Sequence, residues 1–374
     1  VHVSAEITPE QLVEAVERGE ELHVLDVRAP QRLAAGRIDI VPDERFHNVR
    51  GSELLARTDP GMPPGAHIAV VCGLGNDSKR VAQHLAERGY RAESVVGGMA
   101  AWMRTVVARE LKAPPELDRL VQCDRIGKGA LGYVLVSEGE AFVVDPPRHV
   151  AAYVGGFGGA KLVGVADTHA HADYISGAEA LARAYDVPYY LHPSDAIYPY
   201  DGTPGLLRFK PVAGGERLRV GRAEIEVVHT PGHTEGSVTY KCGDHFALTG
   251  DFIFASSVGR PDLGGKTEEW SKVLFESLRA AKRAWPKSLR IYPAHYGSAA
   301  ERARDHSVGG AFGDLRNEAL RIDDFGQFAD WIRARAGKFP DAYRRIKAIN
   351  VGLESVEDAV ADELEAGRNE CALK

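Results

Sequence analysis

Apolar and polar positions change rhythm along this chain near residue 110. In the first hundred residues, apolar runs at 22–27 (LHVLDV) and 68–72 (IAVVC) alternate with amphipathic stretches. Over 78–89 (SKRVAQHLAERG), Val81, Ala82 and Leu85 recur at helical spacing, and Gly89 supplies a stop before a further strand at 94–96. Strand, helix, strand in that order predicts a parallel sheet flanked by helices, hence an α/β domain. A segment with Pro114 and Pro115 (LKAPPELDR) reads as a linker. From about Cys123 the rhythm becomes that of hairpins (GYVLVSEGEAFVVD), followed by a strand at 161–166, a helix at 177–185 and more strands through Tyr240. Beyond Glu301 the chain is charged and helix-rich, with no internal repeat. The expected boundaries are a first domain at 1–106, a linker at 107–118, a second domain at 119–350 and a tail at 351–374.

Composition narrows the classes of function. A length of 374 residues suggests two or three domains, and 44% hydrophobic with 26% charged residues is ordinary globular usage. Glycine stands out: 40 residues, about 11% against a usual value of about 7%, point to tight turns and loops where backbone approaches a ligand. The net charge of −7 is spread, with 12 basic and 15 acidic residues up to position 108 and 34 and 38 after it. Neither part has the basic excess that phosphate neutralisation favours, so a nucleic-acid partner is not expected. Cys72, Cys123, Cys242 and Cys371 lie far apart with no CxxC pair, which argues against a disulfide framework and a thiolate zinc site. There is no signal-peptide pattern at the start, and no uncharged run approaches the roughly 18 residues of a spanning helix. The expectation is a cytoplasmic protein without a membrane partner; a homodimer is compatible with the sequence.

Cys72 follows a buried-looking strand, and Gly73, Leu74, Gly75, Asn76, Asp77 and Ser78 lead into the next helix. Loop N–H groups and a helix N-terminus converging on one sulfur would lower a thiol pKa and stabilise a persulfide anion; the same local pattern also suits a buried structural cysteine. Together LDVR (25–28), the CxxGxxS loop and the later Gly97, Gly98 and Trp102 resemble a single rhodanese domain over residues 4–106. The resemblance implies that Cys72 carries sulfane sulfur. Asp77 stands where many rhodaneses have arginine, so the loop is expected to attract thiosulfate less well.

The densest chemistry is THAHADY at 168–174, after the strand-like KLVGVAD. In an extended segment residues two apart project to one side, so His169, His171 and Asp173 are expected to converge. His233 in TPGHTEGS, Asp251 in LTGD and His295 in YPAH each sit on a turn after a strand-like run, and histidines with two aspartates in this arrangement indicate a metal site. The order of these residues resembles the metallo-β-lactamase superfold, which implies a four-layered αββα sandwich. Tyr174 occupies the place of the motif's last histidine, and a phenol is a poor ligand, which disfavours a two-zinc centre.

Two histidines and a carboxylate with open positions suit non-haem Fe(II) chemistry with O2. Within the superfold the chain looks like the persulfide dioxygenases, and this resemblance implies one Fe(II) per chain, with zinc as the alternative, on His169, His233 and Asp251. His171, Asp173 and His295 would then orient ligands or provide a second position. The stretch TGDFIFASSVGRPDLGG, with Arg260 and Asp262, also resembles that family. The implied reaction oxidises the sulfane sulfur of a low-molecular-weight thiol persulfide with O2 to sulfite, while Cys72 exchanges sulfur with sulfite or thiosulfate. Substrate contacts are expected from Arg260, Tyr296 and the basic YRRIKAIN helix, through Arg344, Arg345 and Lys347. Cys371 reads as structural. The alternatives are a zinc thioester hydrolase of the glyoxalase II kind and a non-catalytic sulfur relay or sensor; the carrier thiol stays open.

Overall fold

The computed structural model describes residues 5–57, 61–262, 267–337 and 340–373. The chain divides into two compact units. One is built from residues up to Val107 with Arg125–Lys128 and Ala366–Arg368, and the other holds Ala108–Asp124, Gly129–Glu365 and the residues from Asn369 onward.

The first unit is a five-stranded sheet in the order Ala5–Ile7, Arg91–Val95, His67–Val71, Leu22–Asp26, Phe46–Asn48, every pair parallel. The run Ile68 to Val71 is buried without alternation because this strand is covered on both faces. Ala69 and Val71 pack with Leu12, Val13 and Trp102 on one face, while Ile68 and Val70 pack with Val81 and Leu85 on the other. The helix Pro9–Glu17 starts at a capping box in which Thr8 and Gln11 satisfy each other's backbone N–H groups. The helix Asn76–Ala86 opens two residues earlier than its apolar spacing predicts, directly from the Cys72 loop.

The second unit is two sheets face to face. The seven-stranded sheet runs Lys210–Pro211, Tyr189–Leu191, Lys161–Ala166, Glu140–Val144, Ala130–Ser137, Arg119–Arg125, Val106–Leu111. The six-stranded sheet runs Arg217–Val220, Ala223–His229, Val238–Cys242, Phe246–Gly250, Arg290–Pro293, Gly310–Ala311. Tyr133, Leu135 and Phe142 from the first meet Ile225, Val227, Tyr240 and Leu248 from the second in one core. Thr267–Ala284 and Phe325–Arg335 cover the outer face of the six-stranded sheet, with Leu274, Phe275 and Leu278 packed on Phe328 and Ile332 over Ala247 and Ile291. Ala178–Tyr185 lies against Lys161–Ala166 of the other sheet. The expected αββα layering is present.

Two stretches differ from the sequence reading. Residues 107–118 hold an edge strand, Val106–Leu111, whose buried Arg109 and Leu111 alternate with exposed Ala108 and Glu110. Residues 351–374 are also ordered in part: Asp358–Leu364 is helical, and 369–373 return along 257–260 through the Gly259–Ala372 bridge and the Arg260 N–H to Cys371 carbonyl bond of 2.9 Å. Residues 263–265, the end of the GRPDLGG stretch, lie outside the described residues, as do 1–4 at the start of the first domain and Lys374 at the end of the tail. No helix among the described residues is long and apolar enough to cross a membrane.

Candidate functional site

Cys72 sits at the C-terminal end of the central parallel strand and is 4% exposed. The Gly75 N–H donates to its Sγ at 3.1 Å, and the Ser78 hydroxyl lies 3.4 Å away, itself 2.9 Å from Ser94 Oγ. Burial alone would push the thiol up, but the Ser78 hydroxyl, with the N–H groups of Ser78, Gly75 and Leu74, outweighs it and brings the pKa below that of an ordinary cysteine. Gly73, Leu74, Asn76 and Asp77 form an exposed rim, with Leu74 71% exposed. The loop needs the late glycine pair: Gly98 has φ +58, and a Cβ there would lie 2.4 Å from the Cys72 carbonyl. With glycine in place, the Met99 N–H reaches that carbonyl at 2.8 Å and the Ala100 N–H reaches Gly73 at 3.1 Å, so a second helix start closes the cradle.

In the second unit the chemistry collects where strands end. Phe246–Gly250 and Arg290–Pro293 pair in parallel, so the turns after them bring Asp251 and His295 together. His169 follows Lys161–Ala166, and His233 lies between Ala223–His229 and Val238–Cys242. Gly250, at φ +55, lets Thr168 approach; a Cβ there would meet Thr168 Oγ1 at 2.4 Å.

His169, His233 and Asp251 each place a ligand atom within 4.8 Å of the others, and all three are buried. His169 Nε2, His233 Nε2 and Asp251 Oδ2 are also buried without a hydrogen-bond partner. Their other ends are fixed. The Thr168 hydroxyl donates to Asp145 Oδ2 at 2.9 Å and so accepts from His169 Nδ1 at 3.0 Å; His233 Nδ1 donates to the Arg260 carbonyl at 2.9 Å. Both bonds select the tautomer whose Nε2 lone pair faces the centre. Burial holds the His169 and His233 pKa values down, keeping them neutral, whereas His295 overcomes the burial of Asp251 and keeps it ionised. Two neutral nitrogens and one carboxylate oxygen, desolvated and unpartnered, suit a metal ion.

The segment 168–174 is a series of bends rather than an extended run, yet the His169 and His171 rings lie 4.1 Å apart, while Asp173 sits on the His295 side of the site. His171 turns Nε2 to Tyr174 Oη at 2.8 Å and Asp145 Oδ1 at 3.1 Å, within a cluster that includes Asp167. Tyr174 also stacks on His171 at 4.2 Å, so it engages the second motif histidine. Asp173 joins His295 at 3.0 Å and Cys371, all buried. His295 Nδ1 lies 2.6 Å from Asp251 Oδ1; burial opposes its charge, but Asp173 and Asp251 outweigh that and its pKa is pushed up to about 10.

Of the residues expected to touch substrate, Lys347 alone lines the cavity of about 410 Å³ beside His233. Its Nζ donates to the Ala170 carbonyl at 2.5 Å, Arg345 pairs with Glu354 at 2.6 Å, and Arg344 lies over the Tyr200 ring at 4.3 Å. Arg260 pairs with Asp262 at 2.6 Å and serves the site through its carbonyl, while Tyr296 donates to Asp124 at 3.0 Å in a buried network with Arg109 and Arg302. Asp145, Thr168 and Cys371 are participants that sequence patterns did not single out. Asp145 had a weak signal, an acid directly after the buried FVV run; Cys371 had none.

Residues 127–296 match the metallo-beta-lactamase superfamily and residues 8–105 the rhodanese-like domain. The "Probable metallo-hydrolase YqgX" of Bacillus subtilis is 31% identical over 182 residues, covering 44% of this chain and 84% of that protein. Human mitochondrial persulfide dioxygenase ETHE1 is 32% identical over 162 residues, covering 42% of this chain and 59% of its own length. A metallo-beta-lactamase structure from Staphylococcus aureus superposes with a TM-score of 0.53 at 24% identity, covering 68% of this chain and 74% of that one, a likeness of fold.

Proposed function

From a chain that belongs to the metallo-β-lactamase superfamily and carries a rhodanese-like domain ahead of that fold, we propose an iron-dependent persulfide dioxygenase coupled to a sulfurtransferase. The observation that carries the reading is the desolvated set of His169 Nε2, His233 Nε2 and Asp251 Oδ2. These three would hold Fe(II), which when bound supplies the redox chemistry joining O2 to sulfane sulfur. The overall change is RSSH + O2 + H2O → RSH + sulfite + 2 H⁺. The protein's part is positioning: Thr168 and the Arg260 carbonyl hold the imidazoles, His295 holds Asp251, and the cavity beside His233 receives the persulfide. The relative named as a persulfide dioxygenase supports the same chemistry.

Cys72 then exchanges sulfur with the product. A Cys72 persulfide and sulfite give the Cys72 thiolate and thiosulfate, and the N–H groups of Gly75 and Ser78 stabilise the sulfur anion on either side of the step. The test is elemental analysis together with O2 uptake on glutathione persulfide after anaerobic iron loading. About one iron per chain and O2 consumption are expected; protein that binds zinc alone and consumes no O2 would overturn the proposal.

A second reading, a two-metal thioester hydrolase, is favoured by the buried Asp173, His295 and Cys371 group and by the relative named as a metallo-hydrolase. It requires a second tightly held metal and rapid hydrolysis of an acyl-glutathione.

A further inference from the structure

The cavity beside His233 carries information on the carrier thiol. Its lining includes the rings of Tyr198, Tyr200 and Trp270 and the carboxylates of Asp195, Asp201 and Glu235, with Lys347 as the lining cation. Asp195 is committed to the protein, accepting from the Ala170 and Gly236 N–H groups at 2.7 and 2.8 Å and from the Thr234 hydroxyl at 2.8 Å. Asp201 takes one backbone N–H at 2.9 Å and is otherwise exposed, as is Glu235. Lys347 is 3% exposed and bonded to the Ala170 carbonyl, so it is poorly placed to clamp a carboxylate in the cavity. Tyr200 Oη, by contrast, is buried with no hydrogen-bond partner, and burial keeps it protonated, its pKa pushed up to about 12.

A buried hydroxyl without a partner is unfavourable until a ligand supplies one. Acceptor-only carboxylates want O–H or N–H donors and repel anions, and aromatic faces, which are electron-rich, accept the C–H surface of a ring. Resting on the persulfide reading above, we infer that the cavity takes the body of the carrier thiol as a hydroxyl-rich group without negative charge, a sugar-linked thiol. Peptide carriers bearing two carboxylates and carriers bearing phosphates meet the Asp201 and Glu235 charges, while Lys347 is held by the Ala170 carbonyl and Arg344 is stacked over the Tyr200 ring.

The experiment is calorimetric titration of the full metal-loaded chain with reduced thiols, which separates carrier recognition from any oxidation. Three probes are used: cysteine amide-linked to glucosamine, cysteine amide-linked to cyclohexylamine, and glutathione. The glucosamine conjugate is expected to bind at least about tenfold more tightly than either of the others. Tyr200→Phe should weaken the glucosamine conjugate about fivefold and leave the cyclohexyl conjugate unchanged. The Asp201→Asn, Glu235→Gln double variant should strengthen glutathione about tenfold. Glutathione binding as tightly as the glucosamine conjugate, or a cyclohexyl conjugate that binds equally well, would overturn the inference. These affinities stand whether or not a persulfide of any probe consumes O2, so failure of the dioxygenase reading appears separately, in oxygen uptake.

Discussion

Replacing Thr168 by valine removes one hydroxyl while nearly conserving volume, and the hydroxyl's two hydrogen-bond partners determine the effect. The His169 Nδ1–H loses its acceptor at 3.0 Å in a fully buried position. Asp145 loses the hydroxyl donor but keeps the Thr168 backbone N–H at 2.7 Å, so the carboxylate stays in place. A buried donor left without an acceptor costs about 1–3 kcal/mol, which the metal-free protein should show as lost stability. The imidazole is then free to carry its proton on Nε2, and the metal must displace it. Loss of such an outer partner weakens metal binding by about 10–100-fold, or about 1.4–2.8 kcal/mol. The assay is anaerobic competition for Fe(II) or Co(II) against a coloured chelator, with melting of the metal-free form alongside. Thr168→Ser retains the hydroxyl and should restore affinity to within about threefold of the parent. A valine variant that holds metal within about twofold of the parent would refute the reasoning, since Thr168 would then not be setting the His169 tautomer.

Ser78→Ala removes a hydroxyl that stabilises the Cys72 thiolate, so the thiol pKa should rise and the rate of iodoacetamide labelling at neutral pH should fall about tenfold; in the parent the labelling profile should turn up at lower pH than for an ordinary cysteine. Cys72→Ser should abolish thiosulfate formation from a persulfide and sulfite while O2 uptake on the supplied persulfide persists, as followed by an oxygen electrode and ion chromatography. His233→Ala should do the reverse, with bound iron and O2 uptake lost and sulfur transfer kept. Gly98→Ala puts a methyl against the Cys72 carbonyl in a left-handed conformation and should destabilise the first unit by about 2–4 kcal/mol, read by thermal melting of the full chain.

The layered architecture was legible because its causes are local. The unbroken apolar run at 68–71 marks a strand covered on both faces, and the helical spacing of Val81, Ala82 and Leu85 marks the element that covers it. Of the three residues that converge, His233 and Asp251 were legible as turn residues after strands, and His169 as the first of the closely spaced set at 168–174. Legibility failed where geometry depends on a distant partner. Periodicity says where residues on a regular strand point, but 168–174 is pulled into bends by Asp145, Asp195 and Asn350, so the His169 and His171 rings stay in contact while their ring nitrogens meet different partners. Lys347 reads from the sequence as a substrate contact on a basic helix, yet that helix turns it onto the Ala170 carbonyl. The strand at Val106–Leu111 was hidden behind the prolines just after it, because an edge strand leaves a short, weakly alternating signature.

The return of 369–373 along 257–260 has a consequence for the order of events in synthesis. His233 is aimed by the Arg260 carbonyl, and Arg260 is fixed by a backbone bond to Cys371 and by the Glu370 carbonyl, 110 residues downstream. A nascent chain that has emerged through Asp251 already contains all three ligand residues but lacks the strand that sets one of them. Completion of the His169, His233 and Asp251 centre therefore waits for residues 369–373, and a ribosome stalled before residue 370 would display the full set of three side chains without the bond that fixes Arg260.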